Sequence, residues 1–319
     1  MRKKVLITNI HSYIGWKFCS GISNKGCDYY AFYPEGQDPQ KYASISKKVL
    51  LIPLNLANTL ILKKHFQMND YDTIIHIPDF HANIKKSRKH LRIANLYSTQ
   101  QIIEYCLKSG AKLIYCSSVA IYGNSPFELP SNDLSEKIIF GHSTKMIAEI
   151  ESNIERSRLK GLQAIILRPA IMYGQGSTGF FATLMKLVKY RLLPKVNERI
   201  YIHLCNIELL NTIIAKAIFN EDVYGKNYNV ADKEPVILKE LLDFISYQYR
   251  KKDYKTILQL NLYIGRNIAN LFYRLNWSFA GNFMERITHN WFYDIEDLEK
   301  DFSFTKTDTF SSITNLFDK

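Results

Sequence analysis

Six short runs rich in β-branched and aromatic residues recur through the first half of the chain, at residues 5–8, 29–33, 49–52, 73–77, 113–116 and 164–167. Each is apolar almost without alternation. A half-exposed strand alternates apolar and polar side chains, whereas a near-continuous apolar strand is covered on both faces, as in a parallel sheet with helices on each side. Between the runs lie residues at helical spacing: Ile93, Leu96, Ile102, Ile103 and Leu107 mark one helix, and Ile147, Ile150 and Ile154 another. Gly110 and Gly161 follow them, where a helix C-cap takes a left-handed residue. Such alternation predicts a doubly wound, parallel-sheet α/β fold of the Rossmann type.

The pattern changes after about residue 175. Helical spacing covers 180–190, 206–219 and 238–249, with a short strand at 227–230. No low-complexity linker or internal repeat separates the halves. Residues 1–175 are expected to form a dinucleotide-binding domain. Residues 176–319 are expected to form a smaller C-terminal substrate lobe, with the chain crossing back around 200–230.

The 319 residues, 46% hydrophobic and 23% charged, suffice for a sizeable core and read as an ordinary globular protein. No run of eighteen apolar residues marks a membrane span. Residues 1–4 followed by three apolar residues resemble the start of a secretion signal, but the run ends at Thr8 and is too short for a signal core. Cys19, Cys27, Cys106, Cys116 and Cys205 are odd in number and scattered. They show neither metal-ligand spacing nor a disulfide framework, which suits a reducing cytoplasm. The net charge of +12 is spread over short pairs such as Lys47 and Lys48, with no helix-turn-helix, zinc-finger or stacking signature beside it. Nucleic acid is therefore not an expected partner, and a mild preference for small anions is what the charge supports.

Three segments carry a family resemblance. Residues 5–15 look like a first strand with a glycine-rich turn. Residues 113–123 contain Ser117, Ser118, Tyr122 and Gly123. Residues 165–174 contain Arg168, Pro169, Tyr173 and Gly174. With Ile202, His203, Leu204, Gly225 and residues 228–230 following in order, the chain resembles the extended short-chain dehydrogenases/reductases, the NAD-dependent epimerase/dehydratase group. Residues 294–304 resemble that family's C-terminal end, with Ser303 and Phe304 in place of its Gly-Phe or Gly-Tyr. The resemblance implies NAD or NADP as cofactor and a nucleotide sugar or related carbonyl or alcohol as substrate. It admits a homodimer.

The family's turn uses three glycines, for a tight bend, close backbone approach to the pyrophosphate, and helix–strand packing. Here Asn9, Ser12 and Gly15 stand at those places. Only the third glycine remains, so the cofactor-binding residues implied are Asn9, Ser12, Tyr13, Ile14 and Gly15, with weak affinity. Asn tolerates a left-handed backbone better than most residues. Asn55 stands where relatives carry an Asp near adenine. Pro78 and Asp79 replace a small pair that lies along the cofactor channel. The end of the second strand has no acid for a ribose until Glu35, and no Arg for NADP.

Family members carry a Tyr and, one helical turn later, a Lys. The Lys holds the nicotinamide ribose and activates the Tyr, while a Ser positions the substrate oxygen. The resemblance places Ser118 and Lys145 in two of these roles, with Glu149 beyond. Four residues before Lys145 is Gly141, and Phe140 one residue earlier points roughly 140° away. The acid/base tyrosine is absent, a loss typically worth a factor of about 10²–10⁴ in rate. His142 lies about 100° from the Lys145 face, so a local capping role is expected for it. Arg168 and Pro169 would shape the nicotinamide pocket.

Residues 258–275 place Leu258, Leu262, Ile268, Leu271, Phe272 and Leu275 near helical spacing with Arg266 and Arg274 among them. Such a segment fits a packed lobe helix, a membrane-surface helix, or a source of Arg266 for a diphosphate. Two functions follow. One is an epimerase-, dehydratase- or reductase-like protein with impaired or atypical catalysis; the other is a non-catalytic descendant acting as sensor, scaffold or complex subunit.

Overall fold

The computed structural model describes residues 2–23, 26–78, 91–123, 130–137, 141–196, 199–256, 259–275 and 277–317. The apolar runs form β1 (Lys3–Ile7), β2 (Cys27–Tyr33), β3 (Val49–Pro53), β4 (Thr73–His76), β5 (Lys112–Cys116) and β6 (Ala164–Pro169). With β7 (Asn227–Val230) they make one seven-stranded sheet in the order β7-β6-β5-β4-β1-β2-β3. Every pairing in it is parallel. The doubly wound α/β fold expected from the sequence is the fold observed.

Helices α1 (Tyr13–Gly21), α2 (Thr59–Met68), α3 (Ser98–Ser109) and α4 (Gly141–Arg158) belong to the first half. The second carries α5 (Phe180–Lys189), α6 (Ile207–Ala217), α7 (Leu238–Arg250), α8 (Leu262–Arg274) and α9 (Ser278–Thr288). Successive strand side chains face opposite sides. Val5 and Ile7 therefore join Ile14 and Phe18 of α1 and Leu210 and Ile213 of α6 on one face. Leu6 and Ile74 meet Leu62, Ile102, Ile103 and Ile150 on the other. Burying each such Leu or Ile contributes about 1.5–3 kcal/mol, and this two-sided burial is what the uninterrupted apolar runs encode. A third cluster runs from Phe181 and Leu184 through Leu241 and Ile245 to Phe283 and Ile287.

The helical residues 93–107 do not form one regular helix. Residues Ile93–Tyr97 make a π-helical turn before α3. Side chains pull on the backbone there: Ser98 Oγ donates to Ala94 O at 2.7 Å and Asn95 Nδ2 to Leu91 O at 2.9 Å. Ser and Asn bonds of this kind compete with the regular ladder. Gly110 then ends α3 at φ 77°, and its N–H donates to Cys106 O at 2.9 Å.

Strand order reverses between β1 and β4, and in open parallel sheets the ligand crevice lies outside the C-terminal strand ends at such a switch point. The segments after β1, β5 and β6 meet there. All five cysteines are buried free thiols. Burial pushes Cys116, at the end of β5, up to about 12, which leaves it protonated and unreactive.

Candidate functional site

The β1–α1 turn closes on itself through its own polar side chains. The Ser12 N–H donates to Asn9 Oδ1 at 3.1 Å, and Ser12 Oγ donates to Asn9 O at 2.9 Å. Ser12 Oγ in turn accepts from the Gly15 N–H at 3.0 Å, which makes it the N-cap of α1. A Cβ built on Gly15 would lie 2.0 Å from Asn9 O, so only glycine fits there. Asn9 needs no left-handed backbone: among the described residues the non-glycine positive-φ positions are Arg191 and Lys251. Asparagine in the place of a glycine instead supplies a side chain that ties the turn. Among described residues no partner takes the N–H groups of Tyr13 and Ile14 at the N-terminus of α1. The Tyr13 hydroxyl is buried without a described partner, beside Gly174, where an added Cβ would lie 2.8 Å from it.

Beneath the turn runs a fully matched hydrogen-bond chain. Thr99 Oγ1 donates to Asn95 O, so it must accept from His76 Nε2–H at 2.7 Å. His76 Nδ1 then carries no proton and accepts from the Thr8 hydroxyl at 2.8 Å, while Thr8 Oγ1 accepts from the Ile77 N–H at 3.1 Å. Burial pushes His76 down to about 3. The ring is neutral and structural. Of the pair after His76 and Ile77, Pro78 is buried at the strand end; Asp79 lies outside the described residues.

After β5 the two serines divide. Ser117 Oγ donates to Glu151 Oε1 at 2.5 Å. Ser118 caps the short 3₁₀ turn Val119–Tyr122, its Oγ accepting from the Ala120 N–H at 3.2 Å, and stays partly exposed toward the crevice. Arg168, from β6, is buried and charged. Its Nε donates to Glu151 Oε1 at 3.1 Å and its Nη2 to Glu151 Oε2 at 2.7 Å. Its Nη1 donates to Tyr122 Oη and to Asp133 Oδ1, both at 2.6 Å. Burial works against the guanidinium charge, but Glu151 overcomes it and holds Arg168 above its ordinary value. Burial likewise opposes the Asp133 carboxylate, and the Arg168 bond wins there too, leaving Asp133 below its usual range. Tyr122 Oη passes its own proton to Asn229 Oδ1 at 3.0 Å, which fastens β7 to the network. Pro169 follows Arg168, buried in register with Val230.

Helix α4 points different residues at this network than the family spacing implies. Glu151 and Ile147, one turn apart, face inward; Ile147 packs in the cluster that contains Cys116, Val119 and Tyr122. Lys145 is exposed, roughly 200° around the helix from Ile147. It makes no hydrogen bond or ion pair with another described residue, Ser118 included. Glu149 does not pair with Lys145 but lies 3.4 Å from Arg92 Nη2. Phe140 and the side chain of His142 lie outside the described residues.

Other expected positions sit apart. Asn55 closes a local turn, its Oδ1 accepting from the Ala57 N–H at 3.0 Å. Arg266, exposed on α8, reaches Thr288 O at 3.4 Å. No described contact joins Arg266 to Ser118 or to the β1–α1 turn. Leu258 lies outside the described residues.

A second buried polar centre gathers residues distant in the chain. Asp232 accepts from Tyr173 Oη and Thr309 Oγ1, both at 2.7 Å, and from the Asn206 N–H at 2.9 Å. Burial raises it to about 6 against those bonds. His203 Nδ1 accepts from the Tyr293 N–H at 3.3 Å, so its Nε2–H donates to Asp232 O at 2.8 Å, and burial pushes the ring down to about 4.

The sequence reading missed Glu151, Asp133 and Asn229. One signal was present: Glu151 interrupts the apolar stripe of Ile147, Ile150 and Ile154, and an acid on a buried stripe needs a cation. Arg168, alone in the apolar run of β6, is that cation.

Comparison with known proteins places this geometry. The model of the NAD dependent epimerase/dehydratase family matches residues 5–211. Among solved structures, gox2253 superposes with a TM-score of 0.80 at 16% identity, over 99% of this chain and 97% of that one. WbmH of Bordetella bronchiseptica, in complex with NAD+, gives 0.75 at 14% identity, over 99% and 98%. The UDP-N-acetylglucosamine 4-epimerase of Methanobrevibacter ruminantium M1, in complex with UDP-N-acetylmuramic acid, gives 0.74 at 15% identity, over 99% and 97%. No curated protein matches the sequence.

Proposed function

The chain belongs to the NAD dependent epimerase/dehydratase family, and on that premise we propose that it binds a dinucleotide or nucleotide sugar while lacking the tyrosine–lysine proton transfer of an active member. The observation that carries this reading is the orientation of α4. Glu151, locked onto Arg168, fixes the rotation of the helix. Ile147 then packs into the core beside Cys116, Val119 and Tyr122, and Lys145 is exposed without a bond to Ser118 or to any other described residue. Ser118 has no proton-carrying partner among the described residues.

The β1–α1 turn suits the diphosphate of NAD or NADP. Gly15 keeps α1 tight against β1, and the Tyr13 and Ile14 N–H groups remain as donors at a helix N-terminus, which favours anions. Asn9 and Ser12 consume two further N–H groups within the chain, so fewer donors are left than in a glycine-only turn and binding is expected to be weaker than micromolar. When bound, the cofactor supplies a hydride acceptor or donor. This chain's own contribution is to hold the diphosphate at α1 and to present the Ser118 hydroxyl to a substrate oxygen. UDP- and dTDP-sugars, the substrate class named for several structural neighbours, are the ligands to test first.

Calorimetric titration with NAD+, NADP+ and UDP-glucose is the test. Saturable heat at ligand concentrations above micromolar supports the reading. Tight binding accompanied by turnover of the sugar nucleotide contradicts it, as does the absence of any binding at millimolar ligand.

A further inference from the structure

Helix α8 is apolar on two faces, and only one of them is covered. Leu262, Gly265 and Ala269 are buried on the face toward α9. The fit is close at Gly265, where a Cβ would lie 2.6 Å from Thr288 Cγ2 and 2.9 Å from Leu260 Cδ2. The second face carries Ile264, Ile268, Leu271 and Leu275, at i, i+4, i+7 and i+11, the spacing of one continuous stripe. Ile264, Leu271 and Leu275 are each at least 50% exposed. At the tip between α8 and α9, Trp277 and Phe279 are both 60% exposed. Elsewhere the exposed apolar residues occur singly or in pairs along the chain, as at Leu134, Leu159, Leu60 with Ile61, and Tyr190 with Leu192. Scattered exposed leucines are ordinary, whereas a contiguous patch rimmed by polar residues marks an interaction surface.

We infer that the α8–α9 hairpin docks on the surface of an anionic lipid bilayer. Charge decides between the candidate occupants. Arg274 is exposed beside the stripe, Arg266 lies two turns earlier, and Lys251, Lys252 and Lys255 are exposed on the same lobe. From residue 250 to residue 286 the chain carries seven Lys or Arg against two acids. A second copy meeting this face about a two-fold axis would bring Arg274 toward its own equivalent, on a molecule already at +12. An anionic leaflet complements the same charges, each base near the surface adding attraction that salt screens. Trp277 and Phe279 are the side chains that favour the headgroup boundary, and an exposed stripe of Leu and Ile flanked by Arg274 is suited to lie in that plane. No helix among the described residues is long and apolar enough to cross a membrane, so the contact is peripheral.

The test is vesicle flotation of the full chain with phosphatidylcholine alone and with phosphatidylcholine containing phosphatidylglycerol, at low and high salt. Anionic vesicles are expected to retain the protein at low salt and release it at high salt, with at least tenfold weaker retention on neutral vesicles. Leu271→Glu and Trp277→Glu should each weaken retention at least tenfold, and Arg274→Glu should do so without touching the apolar stripe. All three sites are exposed, so thermal unfolding should stay at the wild-type temperature. Equal retention of Leu271→Glu and wild type overturns the inference, and so does failure to float with anionic vesicles. A concentration-dependent dimer that Leu271→Glu abolishes, with no flotation, would instead assign the face to a second copy.

Discussion

Glu151 grips Arg168 with both carboxylate oxygens, at 3.1 Å from Nε and 2.7 Å from Nη2, inside the protein where neither side chain is more than 1% exposed. This pair sets the rotation of α4, and through it the identity of every residue that helix offers to the crevice. Ser117, Tyr122 and Asp133 gather around the same two groups.

Removing one partner of a buried pair leaves the other charge without compensation. Glu151→Ala is therefore expected to cost about 3–5 kcal/mol in urea unfolding. The double variant Glu151→Ala with Arg168→Met should recover part of that loss. A single-variant cost below ~1 kcal/mol would mean that the pair does not organise α4.

Lys145 and Ile147 should answer oppositely to truncation. Lys145→Ala, on an exposed side chain, is expected to stay within about 0.5 kcal/mol of wild type and to leave NAD+ titration unchanged. Ile147→Ala, in the core, is expected to cost about 2–5 kcal/mol. Gly141→Tyr alone should not create sugar-nucleotide turnover, because the lysine that would activate the phenol faces solvent.

Gly15→Ala puts a methyl group 2.0 Å from the Asn9 carbonyl oxygen, a backbone atom that cannot swing aside. Overpacking of this kind costs about 1–3 kcal/mol or more. Thermal unfolding should fall, and nucleotide binding should be lost with the shape of the turn. Ser12→Gly should act in reverse on binding: it frees the Gly15 N–H at the expense of the helix cap, so NAD+ affinity rises while stability drops by a few tenths of a kcal/mol.

The pH dependence follows from three buried groups. His76 and His203 sit at about 3 and about 4 in the folded chain, against ~6.5 unfolded. Below that value the unfolded chain takes up protons the folded chain refuses, so the stability they give above pH 6.5 is lost as pH falls. Asp232 works the other way. Raised to about 6 from ~3.9 unfolded, it favours the fold at low pH, and that contribution is lost as pH rises through 6. It offsets roughly one histidine, leaving a net loss of ~3 kcal/mol between pH 6.5 and 4. Urea midpoints across that window should show the decline, and His76→Gln should flatten it.

The sheet was legible in the sequence because two-sided burial leaves an uninterrupted apolar run, as at 113–116 and 164–167, whereas the run at 49–52 forms an edge strand with Leu50 61% exposed. The cofactor turn was legible as a shape, through Gly15, but not as a network. That Asn9 and Ser12 bond each other depends on a turn only three residues deep, and sequence spacing cannot reveal it. The rotation of α4 is hidden from the sequence for a related reason. Spacing fixes which residues share a face, so Gly141 and Lys145 align; it does not fix which face turns inward. A long-range partner decides that, and Arg168 pairs with Glu151 rather than with Glu149. Residues 258–275 were read mainly as a packed helix, and packing covers only the face of Leu262, Gly265 and Ala269.

The most direct measurement is the fate of UDP-glucose mixed with the protein and NAD+ at concentrations where calorimetry shows both bound, followed both as conversion to another sugar nucleotide and as NADH fluorescence, because a hydride taken up by NAD+ and returned to the sugar leaves no net NADH. A crevice that holds ligands but lacks the proton-transfer pair should give neither a new sugar nucleotide nor fluorescence above the mixture without protein. Conversion of UDP-glucose on the time scale of an ordinary enzyme would show that a proton acceptor reaches Ser118 after all, and would contradict the arrangement built on Glu151 and Arg168.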